Sequence, residues 1–175
     1  ISYELSLGMS VIGIIMLTSS MRLIDIVNAQ APLWFIVLQP IGFICYTISA
    51  IAETNRLPFD LAEAETEIVG GYHTEYSSMK FALFFLGEYI NMFLVSSLAT
   101  VFFLGGWQPL FGLTMIPGVI WFLAKVAFFI FTFIWIRGTL PRYRYDQLMR
   151  FGWLVLFPLS LFNVMWTAVM VNLWK

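Results

Sequence analysis

The residues best suited to chemistry are carboxylates. Residues 53–80 hold six of the ten acids, Glu53, Asp60, Glu63, Glu65, Glu67 and Glu75, against Arg56 and Lys80. Asp60 follows Pro58 and stands at an N-cap position, and Glu63 falls where a capping box places its acid. The pattern predicts a short amphipathic helix over 61–69, stopped by Gly70-Gly71. On it Asp60, Glu63 and Glu67, spaced i, i+3 and i+7, share one face. Like charges that close raise each other's pKa and titrate together, so the face could take up and release protons. A solvated acidic loop with ordinary capping is the plainer alternative. Phe59, Ile68, Val69 and Tyr72 argue for a loop packed against something.

Three further ionisable groups lie in apolar surroundings. Glu4 enters the first apolar run, Glu88 lies inside the third and Lys125 inside the fourth. On insertion scales a charge at the bilayer centre costs about 2.5–3.5 kcal/mol, so such groups face a partner, water or the bundle interior. Glu88 and Lys125 could pair with each other or with another subunit, or mark a polar track for protons. Glu4 could be merely interfacial. His73 reads as a loop histidine able to donate a proton, and no second ligand stands at metal spacing beside it. The single cysteine, Cys45, excludes an internal disulfide, and too few Cys and His are present for an iron–sulfur cluster. No metal site and no catalytic redox centre is expected in the chain.

The elements that position these groups follow from composition. The 175 residues are 61% hydrophobic, 18% aromatic and only 11% charged, against about 25% charged in soluble domains. A soluble domain of this size cannot bury so much apolar surface. The net charge of −1 gives no handle for nucleic acid. The expectation is an all-α, polytopic integral membrane bundle forming one transmembrane domain. About five apolar runs are long enough to span, near 3–21, 33–52, 79–104, 117–136 and 153–172. They do not alternate with period two, and hydrocarbon demands that every backbone group be paired, so they are helices. Pro40 and Pro158 fall inside the second and fifth runs and predict kinks. Trp34, Trp107, Trp135, Trp153 and Trp174 fall near run ends, where amphipathic rings settle.

The acidic loop 53–78 and the basic loop 137–152 lie on one side of the membrane if five spans are present. Arg56, Lys80, Arg137, Arg142, Arg144 and Arg150 accumulate on that side, and Arg22 and Lys175 on the other. The positive-inside rule makes the first side cytoplasmic, or matrix in a mitochondrion. Arg137, Arg142, Arg144 and Asp146 could set topology and meet lipid head groups, or dock a soluble partner. The chain begins at Ile1, with no basic segment or cleavage site before the first apolar run, so no signal peptide is expected. The N-terminus is expected to be missing or carried on a separate chain.

The stretch Glu53-Thr-Asn-Arg56-Leu-Pro-Phe-Asp60-Leu-Ala-Glu63-Ala-Glu65-Thr-Glu67-Ile-Val-Gly-Gly-Tyr-His73-Thr-Glu75-Tyr76 resembles the signature of the H-subunit family of respiratory complex I, the proton-pumping NADH:quinone oxidoreductase. Ile1-Ser-Tyr-Glu4, Gly87-Glu-Tyr-Ile-Asn91, Phe102-Phe-Leu-Gly-Gly-Trp107 and Leu140-Pro-Arg-Tyr-Arg-Tyr-Asp146 extend the likeness over essentially the whole chain, in the family's order. The family has eight spans, and this chain is similar to the last five. Absent are three that include the helix lining the quinone entry.

The resemblance implies a non-redox membrane subunit that helps form the quinone chamber and couples quinone reduction to proton translocation. Arg56, Asp60, Glu63, Glu65, Glu67 and Glu75 would line the chamber and sense quinone reduction. Glu4, Glu53, Glu88 and Lys125 would carry protonation changes onward. The chain would bind no cofactor of its own. Quinone, such as ubiquinone, would be the substrate, with FMN and iron–sulfur clusters on partner subunits. Partners would be the soluble quinone-site and terminal iron–sulfur subunits, small and antiporter-like membrane subunits, and lipids, in a bacterial or mitochondrial inner membrane. A homologous subunit of a membrane-bound hydrogenase or plastoquinone-reducing complex is the alternative. The intact Glu-x-Asn-Arg-x-Pro-Phe-Asp favours the respiratory version. A secondary ion transporter fits less well because no inverted repeat is visible. A passive anchor leaves the insertion cost of Glu88 and Lys125 unexplained.

Overall fold

In the computed structural model, residues 2–54, 58–59, 79–109, 117–141 and 143–174 are described. Their regular structure is helical throughout, and no strand occurs among them. Helix α1 is Ser2–Thr18, α2 Leu23–Ala29, α3 Phe35–Leu38 and α4 Pro40–Glu53. Helix α5 is Met79–Phe103, α6 Gly118–Thr139, α7 Tyr145–Phe151 and α8 Phe157–Trp174, with a π-helical turn at Gly152–Leu156 joining the last two. The expected acidic loop helix at 61–69 lies outside the described residues.

Three helical stretches are long and apolar enough to cross a membrane: Met79–Phe103, Gly118–Thr139 and Tyr145–Leu173. A fourth is reached if α1 and α2, bent by 67° at their junction, count as one span. The first expected run ends as a helix at Thr18, because Ser19 adopts a left-handed φ of 53°. Ser20 Oγ then donates to the Asp25 carboxylate (2.7 Å) and accepts from Arg22 N–H (3.2 Å), fixing the start of α2.

The second expected run is broken at Gln39. There φ −131° and ψ 62° separate α3 from α4, with Pro40 in the first turn of α4. Proline lacks the N–H that would continue the ladder, and its ring disfavours a helical residue before it. The α4 piece, Pro40–Glu53, is a shorter apolar helix of 14 residues. The fifth run extends backward, so α7 occupies part of the stretch 137–152. At the π turn Phe157 N–H bonds to Gly152 O, just before Pro158. The register shift eases the ladder past a residue that cannot donate.

Helix α1 packs chiefly on α8 and α4. Its contact stripe is small and polar: Ser6, Ser10 and Gly13, facing Ser160, Asn163 and Thr167 of α8 and Gly42 of α4. Small residues let helices approach closely where lipid tails supply no hydrophobic drive for association. The other junction is aromatic. Phe103 of α5 meets Phe43 edge-on at 5.3 Å and Tyr46 at 5.5 Å, and Phe43 reaches Phe129 of α6 at 6.0 Å. Tyr46 is buried and donates its hydroxyl to Val95 O at 3.1 Å, so its polar tip is satisfied.

Candidate functional site

Two ends of the bundle carry the chemistry. At the acidic-loop end, α1 begins, α4 ends and α7 begins. Tyr3 Oη donates to Leu148 O (3.3 Å), tying α1 to α7. Tyr143 N–H donates to Pro58 O (3.1 Å), and the Tyr143 ring stacks on Phe59 at 5.7 Å with 13° between planes. Phe59 also meets Tyr3 at 6.0 Å, and both Pro58 and Phe59 are buried. The start of the acidic loop is therefore clamped between α1 and the segment preceding α7. Phe59 is apolar in an acidic stretch and so signals packing on its own. Tyr3 and Tyr143 give no such signal, because nothing in their spacing reveals a partner so distant along the chain.

The ionisable groups distribute around this end. Glu4 lies in the first turn of α1 and Glu53 is the last residue of α4, and both are exposed. Glu88 is half-buried on α5, nine residues in from Met79, which is about 14 Å along the helix. Arg137 occupies the last turn of α6 and Asp146 the first turn of α7, each the sign that the local helix dipole favours. Arg144 precedes α7, and its N–H donates to Gln147 Oε1 (3.4 Å). Arg137, Arg144 and Asp146 are all exposed. Arg56, Asp60, Glu63, Glu65, Glu67, Glu75, His73 and Arg142 lie outside the described residues. Among the described residues no group of three or more His, Cys, Asp or Glu could hold a metal ion.

The opposite end is organised by Lys125, which is 6% exposed. Its Nζ donates to Leu104 O (2.7 Å), Gly106 O (3.1 Å) and Gln108 O (2.8 Å), and sits 4.7 Å from the Trp34 ring centroid. Three protons meet three carbonyls just past the negative end of the α5 dipole. The turn that presents those carbonyls needs Gly105 (φ +70°) and Gly106 (φ +54°). Gly106 N–H folds back onto Thr100 O at 3.0 Å, closing the end of α5.

Gln30, fully buried, braces the same turn. Its Nε2 donates to Val101 O (2.8 Å) and its Oε1 accepts from Gly105 N–H (2.9 Å). Gln108 Nε2 reaches Val27 O at 2.6 Å. Lys125 and Glu88 do not pair with each other. Leu104, which Lys125 grips, stands sixteen residues beyond Glu88, about 24 Å of helix rise.

A third group is uncharged, and the charge pattern therefore gives no sign of it. Gln39, Asn163 and Thr167 are each 2% exposed and meet where α1, α4 and α8 converge. Gln39 Nε2 donates to Thr167 Oγ1 at 3.0 Å, and Thr167 Oγ1 donates to Asn163 O at 2.6 Å. The available signal is an amide in the interior of two otherwise apolar runs.

These features define an all-helical membrane protein in which the entry to an acidic loop is held on the protein's own helix ends. A family model described as NADH dehydrogenase matches residues 1–168. The chain is 55% identical over 173 residues to the NADH-quinone oxidoreductase H subunit of Bacillus cytotoxicus, covering 99% of this chain and 52% of that protein. It is equally similar, at 55% over 173 residues and the same coverage, to the protein of that name from Anoxybacillus flavithermus. To an NADH-quinone oxidoreductase H subunit of Geobacter metallireducens it is 56% identical over 168 residues, covering 96% of this chain and 50% of the relative. The chain belongs to the NADH dehydrogenase family. It spans about half the length of the curated relatives it matches.

Proposed function

We propose that the chain forms the membrane wall of the quinone chamber in a proton-pumping NADH:quinone oxidoreductase and couples quinone reduction to proton movement. The observation that carries the reading is the clamp on Pro58 and Phe59. The Tyr143 N–H and ring and the Tyr3 ring hold the entry to the acidic loop against α1 and α7. A loop rooted this way can pass an electrostatic change to the helices, where an untethered loop would absorb it in its own motion.

In this reading Arg56, Asp60, Glu63, Glu65, Glu67 and Glu75 face the quinone. Glu4, Glu53 and Glu88 accept and release protons at successive depths from the loop end. Lys125 carries the protonation change onward at the far end of the same path. Arg137, Arg142, Arg144 and Asp146 face the soluble partner subunits. The electrons arrive from an iron–sulfur cluster on a partner, supplied in turn by FMN on another. The setting is a respiratory inner membrane, with small and antiporter-like membrane subunits as neighbours.

The test is the double variant Glu63→Gln, Glu67→Gln in the assembled complex, followed on native gels and by NADH:quinone reductase activity with proton pumping. The expected result is normal assembly with impaired quinone-coupled turnover. Full turnover with normal pumping would overturn the coupling role, and failure to assemble would replace it with a docking role.

A further inference from the structure

Five buried side-chain polar atoms have no hydrogen-bond partner among the described residues. Four of them, Ser6 Oγ, Gln39 Oε1, Ser49 Oγ and Asn163 Nδ2, belong to α1, to α8 and to α4 with its N-cap. An unpaired polar atom in a protein interior costs about 1–3 kcal/mol, so their gathering in one junction needs an account. Gln39 and Asn163 lie close together. A Cβ placed on Gly42 would stand 2.9 Å from Asn163 Nδ2 and 3.2 Å from Gln39 Oε1. One placed on Gly13 would meet Gln39 Oε1 at 3.0 Å and Asn163 Nδ2 at 3.1 Å. The two glycines thus let the Gln39 and Asn163 amides approach each other closely against the α1 and α4 backbones, where a methyl group at either position would displace them.

A cavity with room for a water molecule adjoins Gln39 and Thr167, next to Asn163, and Leu17, Leu38, Trp166 and Met170 complete its lining. The backbone break at Gln39 falls at this point. Irregular backbone at membrane depth occurs where protein buries it or water lines it.

We propose that the α1–α4–α8 junction is a binding site for ordered internal water, held by Gln39 Oε1 and Asn163 Nδ2 beside Thr167. Water fits the site's chemistry. The site offers one unpaired acceptor and one unpaired donor, both uncharged, and a bridging water both donates and accepts. A cation would find an amide donor there, and an anion a carbonyl oxygen. The bridge adds to the direct Gln39–Thr167 hydrogen bond that already joins the broken span to α8. It also leaves Ser6 and Ser49, toward the acidic-loop end, as further polar points on the same interface.

The experiment uses the intact membrane assembly in lipid nanodiscs and needs neither NADH nor quinone. X-ray radiolysis in oxygen-18 water labels side chains beside ordered water. Met170 lines the cavity, and Met165 on the outward face of the same helix, 64% exposed, is the control. The expected result is more solvent oxygen on Met170 than on Met165, and loss of that excess in Asn163→Leu. A high-resolution map of the wild type is expected to show density within hydrogen-bond reach of both amides. Equal labelling of the two methionines, an excess that survives Asn163→Leu, or a direct Gln39–Asn163 hydrogen bond with no density between them would each overturn the proposal. Should Asn163→Leu fail to assemble, the wild-type labelling ratio and map decide it alone.

Discussion

Replacing Lys125 with Met removes a buried ammonium while keeping the length of the side chain. Three carbonyls, of Leu104, Gly106 and Gln108, lose their donor, and Trp34 loses its cation. Hydrogen bonds to a charged group contribute about 1.5–3 kcal/mol each, but they are not additive here, because burying the ammonium has its own desolvation cost. The variant removes that cost along with the bonds. The net loss is set by the carbonyls left facing an apolar chain. A buried carbonyl left without a donor costs about 1–3 kcal/mol, and a net loss of that order is the expectation. The disturbance should centre on the turn after α5, which Gln30 and Gln108 also brace. The assay is the midpoint of heat-induced disassembly on native gels, with proton pumping measured per NADH oxidised in the fraction that assembles. The expected outcome is a lower midpoint together with weaker pumping. Lys125→Arg should rescue neither fully, because a planar guanidinium fork does not match three carbonyls converging on one point. An unchanged midpoint in Lys125→Met would refute the clamp. An unchanged pumping ratio would remove Lys125 from the proton path and leave it a purely structural cation.

Two other perturbations probe the ends of the bundle. Tyr143→Ala removes the ring stacked on Phe59 but keeps the N–H bonded to Pro58, so about 0.5–1.5 kcal/mol of aromatic contact is lost. Quinone-coupled turnover should fall with assembly retained, and unchanged kinetics would mean that the clamp does not govern the loop. Gly105→Ala forces a side chain onto φ +70° and within 2.9 Å of Gln108 Oε1. The strain, about 1–3 kcal/mol, should lower the same disassembly midpoint as Lys125→Met. In combination the two should be less than additive, since both act on one turn, and strict additivity would argue against that coupling.

Much of the architecture was legible in the residues. Five uniformly apolar runs, few charges and no two-residue alternation leave a helical membrane protein as the reading that satisfies the backbone in hydrocarbon. The acidic loop and the family motif are local strings, so they too could be read directly. Proline at position 40 marked the region where the second run would break. That Gln39 ends up with an unpaired oxygen against Asn163 was invisible, because the two are brought together only by the convergence of α4 and α8. Lys125 shows the same division. Its type and its place in an apolar run announced a partner. Glu88 was the natural candidate, since opposite charges in hydrocarbon attract. The fold instead sets α5 and α6 so that the ammonium reaches the carbonyls at the end of α5. Composition and the lack of two-residue alternation act over neighbouring residues and therefore determine which segments are helices. Which polar group meets which depends on crossing angles, helix depth and turns such as Gly105-Gly106. Those are properties of the packed bundle, and tertiary structure alone decided them.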